Sequence, residues 1–300
     1  MAQGLNIFSA YRSFYPPQPR RLLTRMFLDL GVAWDARRAP AVVELAQRFG
    51  FAGLAQAVTL AGPQLQGLAR HQCAIAPCKT STGAEACTPL RGGLAAELGI
   101  EGEEVGTLLQ LRRLTLVISE GSQLAAVGQA GRLRPPYHII AVRPMTEEAF
   151  QLCCERGECD AISLALDEKL PFPIRRKDVN AFLVRGGFFE IEFAPALRDA
   201  GRRRCLITNV EQLLHATRGK NVFMSSGARD AMEMRSPQDL ANFAAVLGLR
   251  GALALRSVAD VPHRVLQRGA LRRGYAQAVL SRPPPTTAGE GAADAEMPDA

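Results

Sequence analysis

The stretch HIIAVRPMTEEAFQLCCERGECDAISLAL, residues 138–166, reads as one strand–helix–strand unit. HIIAV (138–142) is a short apolar run. Thr146 stands where an N-cap belongs, and the helix after it carries Phe150, Cys153 and Cys154 on one face until Gly157 ends it. DAISLAL (160–166) is apolar again. Strands that are apolar almost throughout are buried on both faces, and two of them separated by an amphipathic helix predict a parallel pair joined by a crossover.

The alternation extends in both directions. Upstream, MFLDLGV (26–32) is a strand, and Asp35 is expected to cap a helix with Ala39, Val42, Val43, Ala46 and Phe49 inward, closed by Gly50. AGLAQAV (52–58) and LTLVIS (114–119) are strands, and residues 121–130 form a small-residue helix. Downstream, FFEIEF (188–193) is a strand, and Thr208 with Glu211 reads as a capping box that starts a helix running through Thr217 to Gly219. NVFMSS (221–226) is the next strand. Ser236-Pro237 starts a helix with Leu240, Phe243, Ala244 and Leu247 inward, and a last helical stretch spans 251–268. About seven strands, each followed by a helix, predict an α/β fold, a TIM-barrel-like (β/α) barrel. An open doubly wound sheet is the alternative, although its glycine-rich phosphate loop is missing.

Of the 300 residues 47% are hydrophobic and only 6% aromatic, so the core must be built mainly of Leu, Val, Ile and Ala. Residues 1–25 contain four Arg and no acid; they read as a disordered extension, with an organellar transit peptide as the alternative. The folded domain is expected over 26–280, with 61–111 as a loop insertion, and 281–300 as a disordered acidic tail. The net charge is +7 although residues 282–300 hold one Arg and four acids, so the rest of the chain is more basic still. A basic body suits a polyanionic partner. No uncharged run of 18 apolar residues occurs, so no membrane partner is expected.

In a (β/α) barrel chemistry gathers at the C-terminal strand ends. Those ends read Asp29, Ser119, Arg143, Asp167-Glu168-Lys169, Glu192, and Ser225-Ser226-Gly227 with Arg229. The four His, at 71, 138, 215 and 263, form no H-x-H pair, and His138 lies at a strand's start. His71, Cys73, Cys78 and Cys87 lack the paired spacing of a zinc site and read as part of a variable loop. Ser225 and Ser226 lack a nucleophile elbow and read as groups that satisfy the backbone where the strand turns, with Gly227 allowing the bend. No catalytic or metal-binding residue is therefore expected. The bases of DEKLPFPIRRKDV (167–179), Arg198, Arg202–Arg204, Arg218, Lys220, Arg229 and Arg235 suit phosphate or carboxylate oxygens.

DAISLALDEKLPF (160–172), FFEIEFAPALRD (188–199), GKNVFMSSGA (219–228) and MRSPQDLANFAAVLGL (234–249), together with LTLVIS (114–119), resemble the thirty-kilodalton protein subunit family of ribonuclease P and ribonuclease MRP. The resemblance covers about residues 26–280. It implies a TIM-barrel-like fold related to the PHP phosphoesterase superfamily, whose enzymes open with an H-x-H pair where this chain has Asp29-Leu30-Gly31. It implies a supporting role for a catalytic RNA that removes the 5′ leader of precursor tRNA, with Mg²⁺ held by the RNA and no cofactor on the chain. The implied partners are the ribonuclease P or MRP RNA, a small ferredoxin-like subunit, other holoenzyme subunits and the precursor tRNA. The implied location is the nucleus and nucleolus, with an organelle as the alternative. The residues expected to contact the RNA backbone are Lys169, Arg175, Arg176, Lys220, Arg229 and Arg235. A metal-dependent phosphoesterase acting alone is the alternative function.

Overall fold

The computed structural model describes residues 26–76, 78, 104–105 and 108–281; the expectations for 1–25, Cys87 and the tail beyond 281 lie outside the described residues. In chain order the elements are β1 (Leu28–Ala33), α1 (Ala39–Arg48), β2 (Gly53–Leu60), α2 (Pro63–Gln66), β3 (Glu104–Val105), β4 (Leu108–Ile118), α3 (Ala125–Ala130), β5 (Ile139–Pro144), α4 (Glu147–Arg156) and β6 (Ala161–Ser163). There follow α5 (Arg176–Val184), β7 (Phe188–Glu192), α6 (Pro195–Arg198), α7 (Ala200–Thr217), β8 (Val222–Ser225), α8 (Pro237–Val246), α9 (Ala252–Val258) and α10 (Asp260–Ser281). The strands lie in the order β1-β2-β4-β5-β6-β7-β8, each parallel to its neighbours, and the two-residue β3 pairs antiparallel with β4.

The sheet curls into a nearly closed barrel. No ladder joins β1 to β8 among the described residues. Instead, the Ser226 amide donates to Asp29 Oδ1 (3.0 Å) and the Ala33 amide to the Ala228 carbonyl (2.9 Å). The β1–β2 register shifts between Asp29 and Val32, on the strand that borders this seam.

Two apolar clusters hold the barrel. The outer one packs strand faces against helices and includes Leu54, Leu116, Ile140, Phe150, Phe182, Phe189, Val210 and Leu240. The inner one joins Leu28, Leu30, Leu109, Leu111, Ile139, Ala161, Phe188 and Phe223 to Val261, Val265 and Leu266 of α10. Helix α10 therefore stops the N-terminal mouth of the barrel. It lies so close that a Cβ on Gly269 would collide with the His138 carbonyl oxygen.

Several local expectations need correction. Thr208 and Glu211 lie inside α7, which starts eight residues earlier, where Asp199 accepts from the Arg202 amide (2.8 Å). The inward stripe of Leu206, Val210 and Leu213 carries the helix through the apparent capping box. Asp35 caps the turn ahead of α1, accepting from the Arg37 amide (2.9 Å), rather than the helix itself. Strand β4 starts at Leu108, inside the span read as loop, and β6 covers only Ala161–Ser163 of the 160–166 run. The basic stretch 167–179 leads into a helix, α5, that the sequence pattern did not predict. The final stretch is two helices, broken at Ala259.

Candidate functional site

Along each strand the inward residues change character from one barrel end to the other. Near the N-terminal mouth they are Leu28, Leu109, Ile139 and Phe188. Two positions further along β7 and four along β4 and β5 they become Glu190, Arg113 and Arg143, with Thr115 and Glu192 two positions beyond on β4 and β7, joined by Ser163 and Ser225. The strand period of two places these polar groups at the C-terminal end, where barrels keep their chemistry.

Arg113 is the centre of this layer. Its guanidinium forms a two-point pair with Glu190, donates to the Leu30 carbonyl (2.7 Å), and reaches Thr115 Oγ1 through Nε (3.1 Å). Ser225 Oγ donates to Glu190 Oε1 (2.7 Å). Burial alone would raise the Glu190 carboxyl, but the charge and hydrogen bonds of Arg113 hold it below the usual range. Burial would lower Arg113, and Glu190 holds it above its ordinary value. Gly31 is required beside the pair, because a Cβ there would stand 2.6 Å from both Glu190 Oε1 and Ser225 Oγ. One layer outward, Arg143 Nη2 donates to Glu192 Oε1 (2.5 Å) and Ser163 Oγ (3.0 Å).

Asp29 is wholly buried at the seam. Its Oδ1 accepts from the Ser226 and Gly31 amides (3.0 and 3.2 Å), and its Oδ2 makes no hydrogen bond of normal geometry among the described residues. Burial pushes its carboxyl up, and the negative charge of Glu190 adds to the rise. Ser225 and Ser226 serve structure: Ser226 Oγ accepts from the Ala228 amide (3.2 Å), and Gly227 takes φ +61°.

This donor set does not fit a divalent metal ion. Glu190 and Glu192 are each claimed by a guanidinium, which fills the space a cation would need. Asp29 is held on one oxygen by backbone amides, and its raised affinity for a proton opposes ligation. His138 lies at the opposite mouth, and among the described residues no three His, Cys, Asp or Glu converge on one point. His71 instead bonds Tyr137 (2.8 Å).

The six basic residues singled out from sequence fall in different settings. Lys169, Arg175, Arg176, Arg229 and Arg235 lie in loops or a helix start after β6 and β8, at the C-terminal end; Lys220 lies before β8, at the other. Arg175 is paired with Glu147 (2.9 Å), and Arg235 donates to the Met232 and Met234 carbonyls. Lys169, Arg176, Lys220 and Arg229 are exposed, and no carboxylate lies within salt-bridge distance of them among the described residues. Arg113 and Glu190 were missed as functional positions. Their signal was charge at alternate positions of an apolar strand: Arg113 two before Thr115, and Glu190 and Glu192 among phenylalanines.

A family model described as RNase P subunit p30 matches residues 26–274. "Ribonuclease P protein subunit p30" of Mus musculus is 39% identical over 142 residues, 46% of this chain and 52% of that protein. "Protein GAMETOPHYTE DEFECTIVE 1" of Arabidopsis thaliana is 35% identical over 170 residues, 55% of this chain and 29% of that one. "Ribonuclease P/MRP protein subunit RPP1" of Saccharomyces cerevisiae is 27% identical over 173 residues, 56% of this chain and 57% of that one. The chain thus spans about half or less of the length of the first two relatives. A chain of a solved "archaeal Ribonuclease P with mature tRNA" shares the fold, with a TM-score of 0.53 and 11% identity over 89% of this chain and 100% of that one.

Proposed function

The chain belongs to the RNase P subunit p30 family, and on that premise we propose that it is a protein subunit of the ribonuclease P ribonucleoprotein, and of ribonuclease MRP where the two share subunits. In this role it buttresses a catalytic RNA that removes the 5′ leader of precursor tRNA. The Mg²⁺ ions of the reaction belong with that RNA. The proposed partners are the RNA, a small ferredoxin-like subunit and the remaining holoenzyme proteins, and the proposed location is the nucleus and nucleolus, with an organelle as the alternative.

The observation that supports a non-catalytic role is the Arg113–Glu190 pair. It places a fixed guanidinium in the layer where a hydrolytic barrel would present its reactive groups. Arginine is always protonated, so it serves neither as a general base nor as a metal ligand. Lys169, Arg175, Arg176, Lys220, Arg229 and Arg235 are the proposed contacts to RNA phosphates. Arg175 and Arg235 would first release their local partners.

Two assays test the reading. The chain freed of nucleic acid is incubated with precursor tRNA and Mg²⁺, and separately added to ribonuclease P RNA and the other subunits lacking it. No cleavage in the first and restored leader removal in the second are expected. Cleavage by the chain alone would sink the proposal.

A further inference from the structure

The two ends of the barrel differ in how many acids stand among their bases. At the C-terminal end Lys169, Arg176, Lys177 and Arg229 are exposed with no carboxylate in salt-bridge distance among the described residues, but they share that surface with guanidinium groups that meet acids: Arg38 with Asp35 and Asp230, Arg143 with Glu192, Arg198 with Glu233, and Arg202 with Asp167 and Glu168. The acids in these contacts offset the charge of the guanidinium groups they meet. At the N-terminal end, Arg132 and Arg134 stand between α3 and β5, and Arg218 and Lys220 between α7 and β8. All four are exposed, and none of them lies within salt-bridge distance of a carboxylate among the described residues.

The mouth they surround is itself rich in arginine. Arg185 donates to the carbonyls of Cys154 and Gly157, Arg268 to those of Cys159 and Arg185, and Arg273 to that of His138. These bonds fix α10 and the strand starts, so the rim residues are mounted on a rigid base. Among the residues whose side chains are described, the carboxylates at this end include Asp160, engaged by Arg272, Asp260, engaged by Arg256, and the exposed Glu155 and Glu158. His138 reports the local field: burial first, then the charges of Arg273, Arg112 and Arg272, push its imidazole down to about 3.

We infer that the N-terminal end of the barrel, with α10 across it and Arg132, Arg134, Arg218 and Lys220 around it, is the main surface that engages the phosphate backbone of a folded RNA. This rests on the ribonucleoprotein reading above and adds to it the face that does most of the binding. Of the six contacts proposed there, it ranks Lys220 above the five at the opposite end. The sites are spread around a rim rather than lined along a groove, and none of the four is aromatic. That arrangement suits backbone contact and not base reading. The C-terminal end, where so much charge is neutralised in pairs, contributes the weaker share.

The test uses the full chain and an in vitro transcribed ribonuclease P RNA, with affinity measured at several KCl concentrations. One variant carries Arg132→Gln, Arg134→Gln, Arg218→Gln and Lys220→Gln. A matched one carries Lys169→Gln, Arg176→Gln, Lys177→Gln and Arg229→Gln. All eight residues are exposed, and unchanged thermal unfolding confirms that both variants fold. The first should bind about tenfold more weakly or worse, with a log K against log[salt] slope shallower by about 3, since each duplex phosphate contact contributes roughly 0.9. The second should lose less than about threefold. Ultraviolet crosslinking of the unaltered chain should label peptides around 132–138 and 218–222. Equal losses in the two variants, or a larger loss in the second, overturn the face assignment and leave the ribonucleoprotein reading standing. Failure of the unaltered chain to bind at low salt or to enter the reconstituted particle overturns both.

Discussion

The guanidinium of Arg113 and the carboxylate of Glu190 meet in a two-point pair inside the barrel, where their side chains are 2% and 0% exposed. Thr115, Ser225 and the Leu30 carbonyl satisfy what the pair leaves open. Removing one partner strands a buried charge, which costs about 3–5 kcal/mol. Arg113→Met should therefore lower the unfolding free energy by about that amount in urea titration. Arg113→Met with Glu190→Leu should recover most of it, because an apolar pair strands nothing. A single variant within about 1 kcal/mol of the native chain would show that the pair does not hold the barrel.

Asp29 gives a prediction of opposite sign to that of most acids. Its carboxyl binds a proton more tightly in the folded state than in the unfolded one, because burial penalises its charge by more than the Ser226 and Gly31 hydrogen bonds favour it. Its contribution to stability is full below the ordinary aspartate value and is lost as pH rises through the raised folded value. Asp29→Asn keeps an oxygen for the Ser226 and Gly31 amides and removes the charge. The variant should gain stability relative to the native chain between pH 4 and pH 7, read from denaturant midpoints. A constant difference across that window would contradict the account.

His138 titrates the other way. Its imidazole is pushed down to about 3, and Nδ1 accepts from the Arg112 amide (2.9 Å). The stability from keeping it neutral is present above the unfolded value near 6.5 and is lost as pH falls toward 3, by at most about 1.4 kcal/mol per pH unit. His138→Asn supplies an acceptor that does not titrate. It should flatten that acid limb, and an unflattened limb would place the titration elsewhere.

Gly269 permits α10 to touch the barrel mouth, because the His138 carbonyl oxygen occupies the space a Cβ would take. Gly269→Ala must lift the helix and disturb the Arg272 and Arg273 bonds to the same segment. A loss of about 1–3 kcal/mol or more is expected, although alanine is the better helix former. Unchanged stability in thermal or urea unfolding would show that the helix can shift without cost.

The strand–helix alternation was legible because burial on both strand faces leaves apolar runs, and because Thr146, Gly157 and Ser236 bound helices locally. The start of α7 was not legible at Thr208, since a T-x-x-E pattern inside a helix looks the same as one at its start; only the continuous packing of Leu206, Val210 and Leu213 separates them. Arg143 and Glu192 could be named as strand-end groups from the sequence, but not as partners, because 49 residues separate them along the chain.

By itself, then, the chain's order of residues determined a parallel α/β barrel, the family, and a surplus of positive charge. Which charges are cancelled, and on which end of the barrel the others stand, was decided only in three dimensions. What a guanidinium faces depends on which strand ends the closing sheet brings together. Arg113 finds Glu190 across 77 residues and Arg273 finds the His138 carbonyl across 135, distances over which local sequence carries no information about neighbours.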